Sequence, residues 1–82
     1  MEPNIVILGG RLKSKIPTEF NSEESLCLKL ELESNIYTVY TAPILVEHIN
    51  NNVELDKFIM VKGCIKTNGV DNFIYAERVT YL

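Results

Sequence analysis

Arg11, Lys13 and Lys15 stand at alternate positions, and Lys62 and Lys66 lie four apart in a later apolar run. In an extended chain, residues two or four apart share a face. Each set is therefore a short row of cations, the arrangement that meets the phosphates of a polyanion. Tyr37, Tyr40, Phe58, Phe73 and Tyr75 bring aromatic rings into the same kind of segment, and ring faces are what planar bases stack on. Glu31 and Glu33 alternate with Lys29 and would repel phosphates near it. Other chemistry is poorly served. His48 is the only histidine and has no acid or thiol at a telling spacing. There is no G-x-S-x-G, phosphate loop or H-E-x-x-H. Gly9-Gly10 is too short to cradle a phosphate, and Glu23-Glu24 has no partner carboxylate in view. Cys27 and Cys64 form no paired cluster, which a structural zinc site would need. They read as small side chains, buried or half-buried. No catalytic group, metal or cofactor is expected.

The chain has 82 residues, 46% of them apolar, with 8 Lys+Arg against 11 Asp+Glu and no Trp. This length makes one domain, residues 1–82, with a thin core and little room for a deep catalytic pocket. The apolar fraction is too high for a disordered chain, and no apolar run is long enough to span a membrane. Nothing basic precedes Ile5-Val6-Ile7-Leu8, so no secretory signal is expected, and a reducing cytoplasm fits the cysteine usage. The net charge of −3 weighs against a nucleic-acid binder, whose footprint is usually basic.

The elements that must position these groups follow from the periodicity. Ile5 to Leu12 is apolar on both faces, which predicts a buried first strand, with Gly9-Gly10 marking a bend. The strand runs out through the basic row to Ile16, and Pro17 to Ser25 is polar and acidic, a mobile loop. Leu26, Leu28, Leu30 and Leu32 alternate with Cys27, Lys29, Glu31 and Glu33, a second strand with one wet face. Ser34-Asn35 is a turn candidate, and Ile36 to Thr41 a third strand. Thr41 then caps a helix of about three turns that has Pro43 in its first turn and Leu45, Val46, Ile49 and Val53 on one side. Phe58 to Thr67 is a fourth strand. Asn68-Gly69 makes a tight hairpin into a fifth strand from Phe73, with Phe73, Tyr75, Val79 and Tyr81 on one side. Three strands in a meander, a helix and a closing hairpin are the order of an all-β, five-stranded OB-fold barrel. An open α+β sheet is the other architecture with this order.

Three segments carry a resemblance. Asn4-Ile5-Val6-Ile7-Leu8-Gly9-Gly10-Arg11-Leu12, Phe58-Ile59-Met60-Val61-Lys62-Gly63-Cys64-Ile65-Lys66-Thr67 and Phe73-Ile74-Tyr75-Ala76-Glu77-Arg78-Val79-Thr80-Tyr81-Leu82 resemble the first, fourth and fifth strands of the bacterial single-stranded-DNA-binding protein family. The last of these, with Ala42-Pro43-Ile44-Leu45-Val46, is also similar to primosomal replication protein N of the same superfamily. The resemblance covers about half the chain and implies an OB-fold, single-stranded DNA as ligand and assembly as a homodimer or homotetramer. The family's stacking tryptophans have no counterpart: Ile36 and Val70 stand where aromatics are expected. The family's acidic tail is not expected after Leu82. A reduced, specialised member is implied, an accessory in replication, restart or transfer that meets replication or recombination proteins.

In an OB-fold the ligand crosses strands two and three between the first and last hairpin loops. That favours Tyr37 as the stacking residue over Phe58. Tyr40, three positions on, falls on the opposite face. Arg11, Lys13, Lys15, Lys29, Lys62 and Lys66 are the candidate phosphate contacts. Free first- and fourth-strand edges would pair with a second copy. The acidic balance, the missing Trp and Glu31 and Glu33 fit a second class: an OB-fold adaptor or inhibitor that contacts protein.

Overall fold

The computed structural model describes residues 3–81. Its first strand, β1 (Val6–Phe20), is 15 residues long and serves two partners. Val6 to Arg11 pair with β4 (Phe58–Thr67), and Arg11 to Phe20 pair with β2 (Glu23–Leu32). The expected loop over Pro17 to Ser25 is instead the end of this hairpin. Asn21 and Ser22 both take left-handed φ values, 52° and 66°, the geometry whose twist matches the flanking strands. Pro17 is tolerated because β1 has already left β4 there, so one edge needs no donor.

A register shift between Leu12 and Ser14 leaves Lys13 unpaired. This bulge bends β1 round the barrel. Gly10 lies in the same bend, where a Cβ would come within 2.9 Å of the Glu31 carbonyl oxygen. β2 turns into β3 (Asn35–Thr41) through Glu33 and Ser34, with φ values of 51° and 68°. The turn is thus one residue earlier than the sequence predicts, and Glu33 sits in it rather than on the strand.

β3 runs parallel to β5 (Asn72–Tyr81), which pairs with β4, so the barrel closes in the order β1-β2-β3-β5-β4. Closure contradicts the expectation of free first- and fourth-strand edges: each is the other's neighbour. A second register shift leaves Glu77 of β5 unpaired opposite Lys62 and Gly63. It turns Val79 toward the core while Phe73 and Tyr75 stay outside, so these residues do not share one side as the plain alternation predicts. Gly63 faces this bulge, where any Cβ would collide with the backbone of Tyr75. The β4–β5 connection is longer than a two-residue turn. Asn68 Oδ1 accepts from the N–H groups of Val70 and Asp71, and Gly69 takes φ 95°.

Leu12, Leu26, Leu28, Leu30, Val39, Ile59 and Ala76 are fully buried inside the barrel. Each large side chain among them contributes roughly 1.5–3 kcal/mol by leaving water. The helix α1 (Pro43–Asn52) closes one end with Leu45, Val46 and Ile49. Its N-cap is Ala42, without a side-chain hydrogen bond. Thr41, expected there, is buried: its Oγ1 accepts from the Leu26 N–H at 2.9 Å, and its carbonyl accepts from Ser25 Oγ at 2.8 Å. The pair ties β2 to β3 just before the chain turns into the helix.

Candidate nucleic-acid interface

The pairing registers set Ile16, Cys27, Tyr40, Tyr75 and Cys64 in one row across the outer face of the barrel. Phe20, at the tip of the β1–β2 hairpin, folds onto this row. It stacks on Tyr40 with ring centroids 5.0 Å apart and lies 5.4 Å from Tyr75. Phe73 meets both Phe20 and Tyr40 edge-on, at 5.6 and 5.2 Å. Lys66, cross-strand from Phe73, holds its Nζ 3.9 Å above the Tyr75 ring, a cation–π contact. Phe20 and Tyr75 are buried by this packing, whereas Tyr40 and Phe73 keep part of their surface in water. Burial raises both tyrosine pKa values above the ordinary 10.0. Cys27 beside Tyr40, and Glu23 and Glu77 near Tyr75, push the same way. Both rings therefore stay neutral at physiological pH.

A cleft of about 200 Å³ opens between the tips of the two hairpins. It is lined by Thr18, Glu19, Phe20, Asn21, Tyr40, Asn68 and Phe73. Two other depressions flank the barrel. One holds Lys62 beside Arg78 and Glu77, and the other runs between α1 and β5 past Ile44 and His48.

The sequence-predicted site residues do not converge. Lys29 lies on the outer face, where its Nζ donates to Thr38 Oγ1 at 2.6 Å. Tyr37 is on the other face: it pairs with Leu30, whose side chain is fully buried, and it reaches solvent only at the barrel rim. Tyr37 and Lys29 therefore cannot line one groove. Lys15 has crossed to the core side after the Lys13 bulge. Its Nζ donates to the carbonyls of Ile49, Asn50 and Val53, at 3.3, 3.2 and 2.7 Å. It caps α1 instead of facing a ligand. Lys13 pairs with Asp56 at 2.7 Å and Glu31 at 3.9 Å, and Arg11 donates to the Asp56 carbonyl at 3.1 Å. The basic row thus splits into a latch on the α1–β4 loop and a helix cap. Lys62 pairs cross-strand with Arg78, on the outer face away from the cleft. Of the predicted cations on the outer face, Lys66 lies against the rings and Lys29 is two residues from Cys27 of the ring-bearing row.

Phe20 is hidden in a stretch that reads as loop, and plain alternation puts Tyr40 on the face away from the ligand. The signal for Phe20 is nonetheless present: Asn21-Ser22 is a two-residue turn pair, and extending β1 to it places Phe20 at a hairpin tip. Among the described residues, no helix is long and apolar enough to cross a membrane.

No protein-family model and no curated protein sequence matches the chain. Solved structures do. The mitochondrial single-stranded-DNA-binding protein of S. cerevisiae superposes over 100% of this chain and 96% of its own, with a TM-score of 0.83 at 14% identity. The fold is that of single-stranded-DNA-binding proteins. The small single-stranded-DNA-binding protein of Streptomyces coelicolor shares it at TM-score 0.76, 14% identity, 99% of this chain and 95% of that one. So does the Plasmodium falciparum protein in complex with single-stranded DNA, at TM-score 0.74, 12% identity, 100% and 97%. At such identities the likeness concerns the barrel and its connections. On this barrel Tyr40 and Phe73 are half-buried rings of the outer face.

Proposed function

We propose that this protein binds single-stranded DNA across the outer face of β2, β3 and β5. The observation that carries the reading is the half-exposed pair Tyr40 and Phe73 in the cleft between the two hairpin tips, with Lys66 beside it. A neutral ring contributes about 1–3 kcal/mol per stacked base. Lys66 and Lys29 would meet phosphates. The role is that of an accessory in replication, restart or transfer, in a reducing cytoplasm, with replication or recombination proteins as further partners and no reaction catalysed. The outer face of β1 and β4 carries Ile7, Phe58 and Met60, each 46–62% exposed, with Ile5 next to them. This apolar face supports assembly as a homodimer or homotetramer, which sedimentation at two concentrations would test.

Titration of a labelled oligonucleotide at several salt concentrations tests the central reading. Two phosphate contacts give a log–log slope of about −1.4. Absence of binding at micromolar protein would remove it. The groove between α1 and β5, where Ile44 is 82% exposed, would then favour the second reading, a protein-contact module.

A further inference from the structure

The bulge in β5 does more than bend the barrel. In an unbroken strand Arg78, three positions after the outward Tyr75, would point into the core. Because the register skips Glu77, Arg78 instead stands opposite Lys62, and Val79 packs against the core. Val61 and Gly63, on either side of Lys62, are buried, so Lys62 and Arg78 share the outer face, and both are exposed. Cross-strand partners hold their Cβ atoms about 5 Å apart, and like charges so placed are destabilising. No acid offsets this pair: both ion pairs among the described residues belong to Lys13. Glu77 lines the same hollow of about 290 Å³ but bridges to neither cation. The fold thus keeps two opposed cations unneutralised in a chain of net charge −3.

We propose that Lys62 and Arg78 form a second phosphate site, which takes the backbone of a single strand where it leaves the rings; this rests on the reading that single-stranded DNA lies on the ring-bearing face. Lys66 and Lys62 share the outer face of β4, one on each side of Cys64, whose cross-strand partner is Tyr75. At about 3.3 Å per residue their Cα atoms stand about 13 Å apart. A strand with its bases in the cleft and one phosphate on Lys66 therefore meets the pair by continuing along β4 and β5. The ammonium acts there as a point charge and the guanidinium as a fork of donors. An anion held between them removes the repulsion that the pair carries alone. The other basic row has no such freedom, since Lys13 is held by Asp56 and Lys15 by the end of α1.

Anisotropy titrations of a labelled oligo-dT of about 16 nucleotides, the upper site size of one OB barrel, test the inference at several salt concentrations. A third phosphate contact steepens the log–log slope from about −1.4 to about −2.1. Arg78→Gln weakens binding about two- to fivefold, the strength of an exposed ion pair, and Arg78→Lys, which keeps the charge, restores most of the loss. Replacing Lys62 by Gln as well returns the slope to about −1.4. Lys57→Gln removes the same charge from the exposed α1–β4 loop and leaves slope and affinity near those of the parent. Arg78→Gln melts no lower than the parent, because it relieves two opposed cations, so its lost affinity is not a lost fold. A parent slope of about −1.4, or equal effects of Arg78→Gln and Lys57→Gln, would overturn the second phosphate site and leave the single-strand reading standing. No binding by the parent protein would remove that reading as well.

Discussion

Replacing Lys15 by Met removes one charge and keeps the apolar stem. The ammonium stands over three backbone carbonyls at the C-terminal end of α1, at 2.7 to 3.3 Å, and the last turn of that helix carries no basic residue of its own. A cation at a partly buried helix C-terminus contributes up to about 2 kcal/mol. Hydrogen bonds from a charged donor contribute about 1.5–3 kcal/mol, offset here because water can reach some of the freed carbonyls. A loss of about 1–2 kcal/mol is expected, and for a domain of this size each kcal/mol lowers Tm by about 4–8 °C. Thermal unfolding followed by circular dichroism should therefore show Lys15→Met melting roughly 5–15 °C below the parent. Oligonucleotide affinity should be unchanged where both proteins are folded. An unchanged Tm, with weaker DNA binding and a salt slope shallower by about 0.7, would refute the cap and return Lys15 to the phosphate contacts.

Tyr40→Ala should weaken single-strand binding about tenfold or more, the loss of one stacked base, whereas Tyr37→Ala should leave it unaltered; parallel anisotropy titrations compare the two. Lys13 holds the Asp56 carboxyl below its ordinary 3.8, and Asp56 holds the Lys13 ammonium above its ordinary 10.5. For Asp56 the depressed value means stability that is present above 3.8 and lost as pH falls through the folded value. For Lys13 the raised value means stability that is lost as pH climbs above 10.5. Urea midpoints measured across the acid range should fall less steeply in Asp56→Asn than in the parent. Gly63→Ala should not yield a folded barrel, because its Cβ meets the Tyr75 backbone and neither strand can retreat; a dispersed amide spectrum from that variant would contradict the packing.

Much of the barrel is legible in local pattern. The leucines at 26, 28 and 30 read as a half-buried strand and are buried with no exposed surface. Phe58 to Thr67 holds as β4 to the residue, and Pro43 opens the helix because a first-turn residue needs no N–H partner. The site is not legible in the same way, since a bulge inverts the faces beyond it. Plain alternation cannot see that Lys13 is skipped, so it sets Lys15 among the ligand contacts when it points to the helix. It likewise joins Phe73 and Tyr75 to Val79, on the wrong side of the Glu77 bulge. It favours Tyr37 over Tyr40 because it takes β3 without its register to β2: a two-residue turn at Ser34-Asn35 or at Glu33-Ser34 alike sets Tyr37 opposite a leucine of the apolar face, Leu32 or Leu30.

The amino-acid sequence by itself determined the order of five strands and one helix and the apolar faces of β2 and α1, because these rest on interactions between residues close along the chain. Only the tertiary structure decided which cations are free. An ammonium is claimed by whatever acceptor the fold brings near, and Asp56 and the end of α1 lie more than thirty residues along the chain from Lys13 and Lys15. The gathering of Phe20, Tyr40, Phe73 and Tyr75 is of the same kind. It exists because barrel closure sets β3 beside β5 and folds a hairpin tip over both, a contact that no spacing in the chain records.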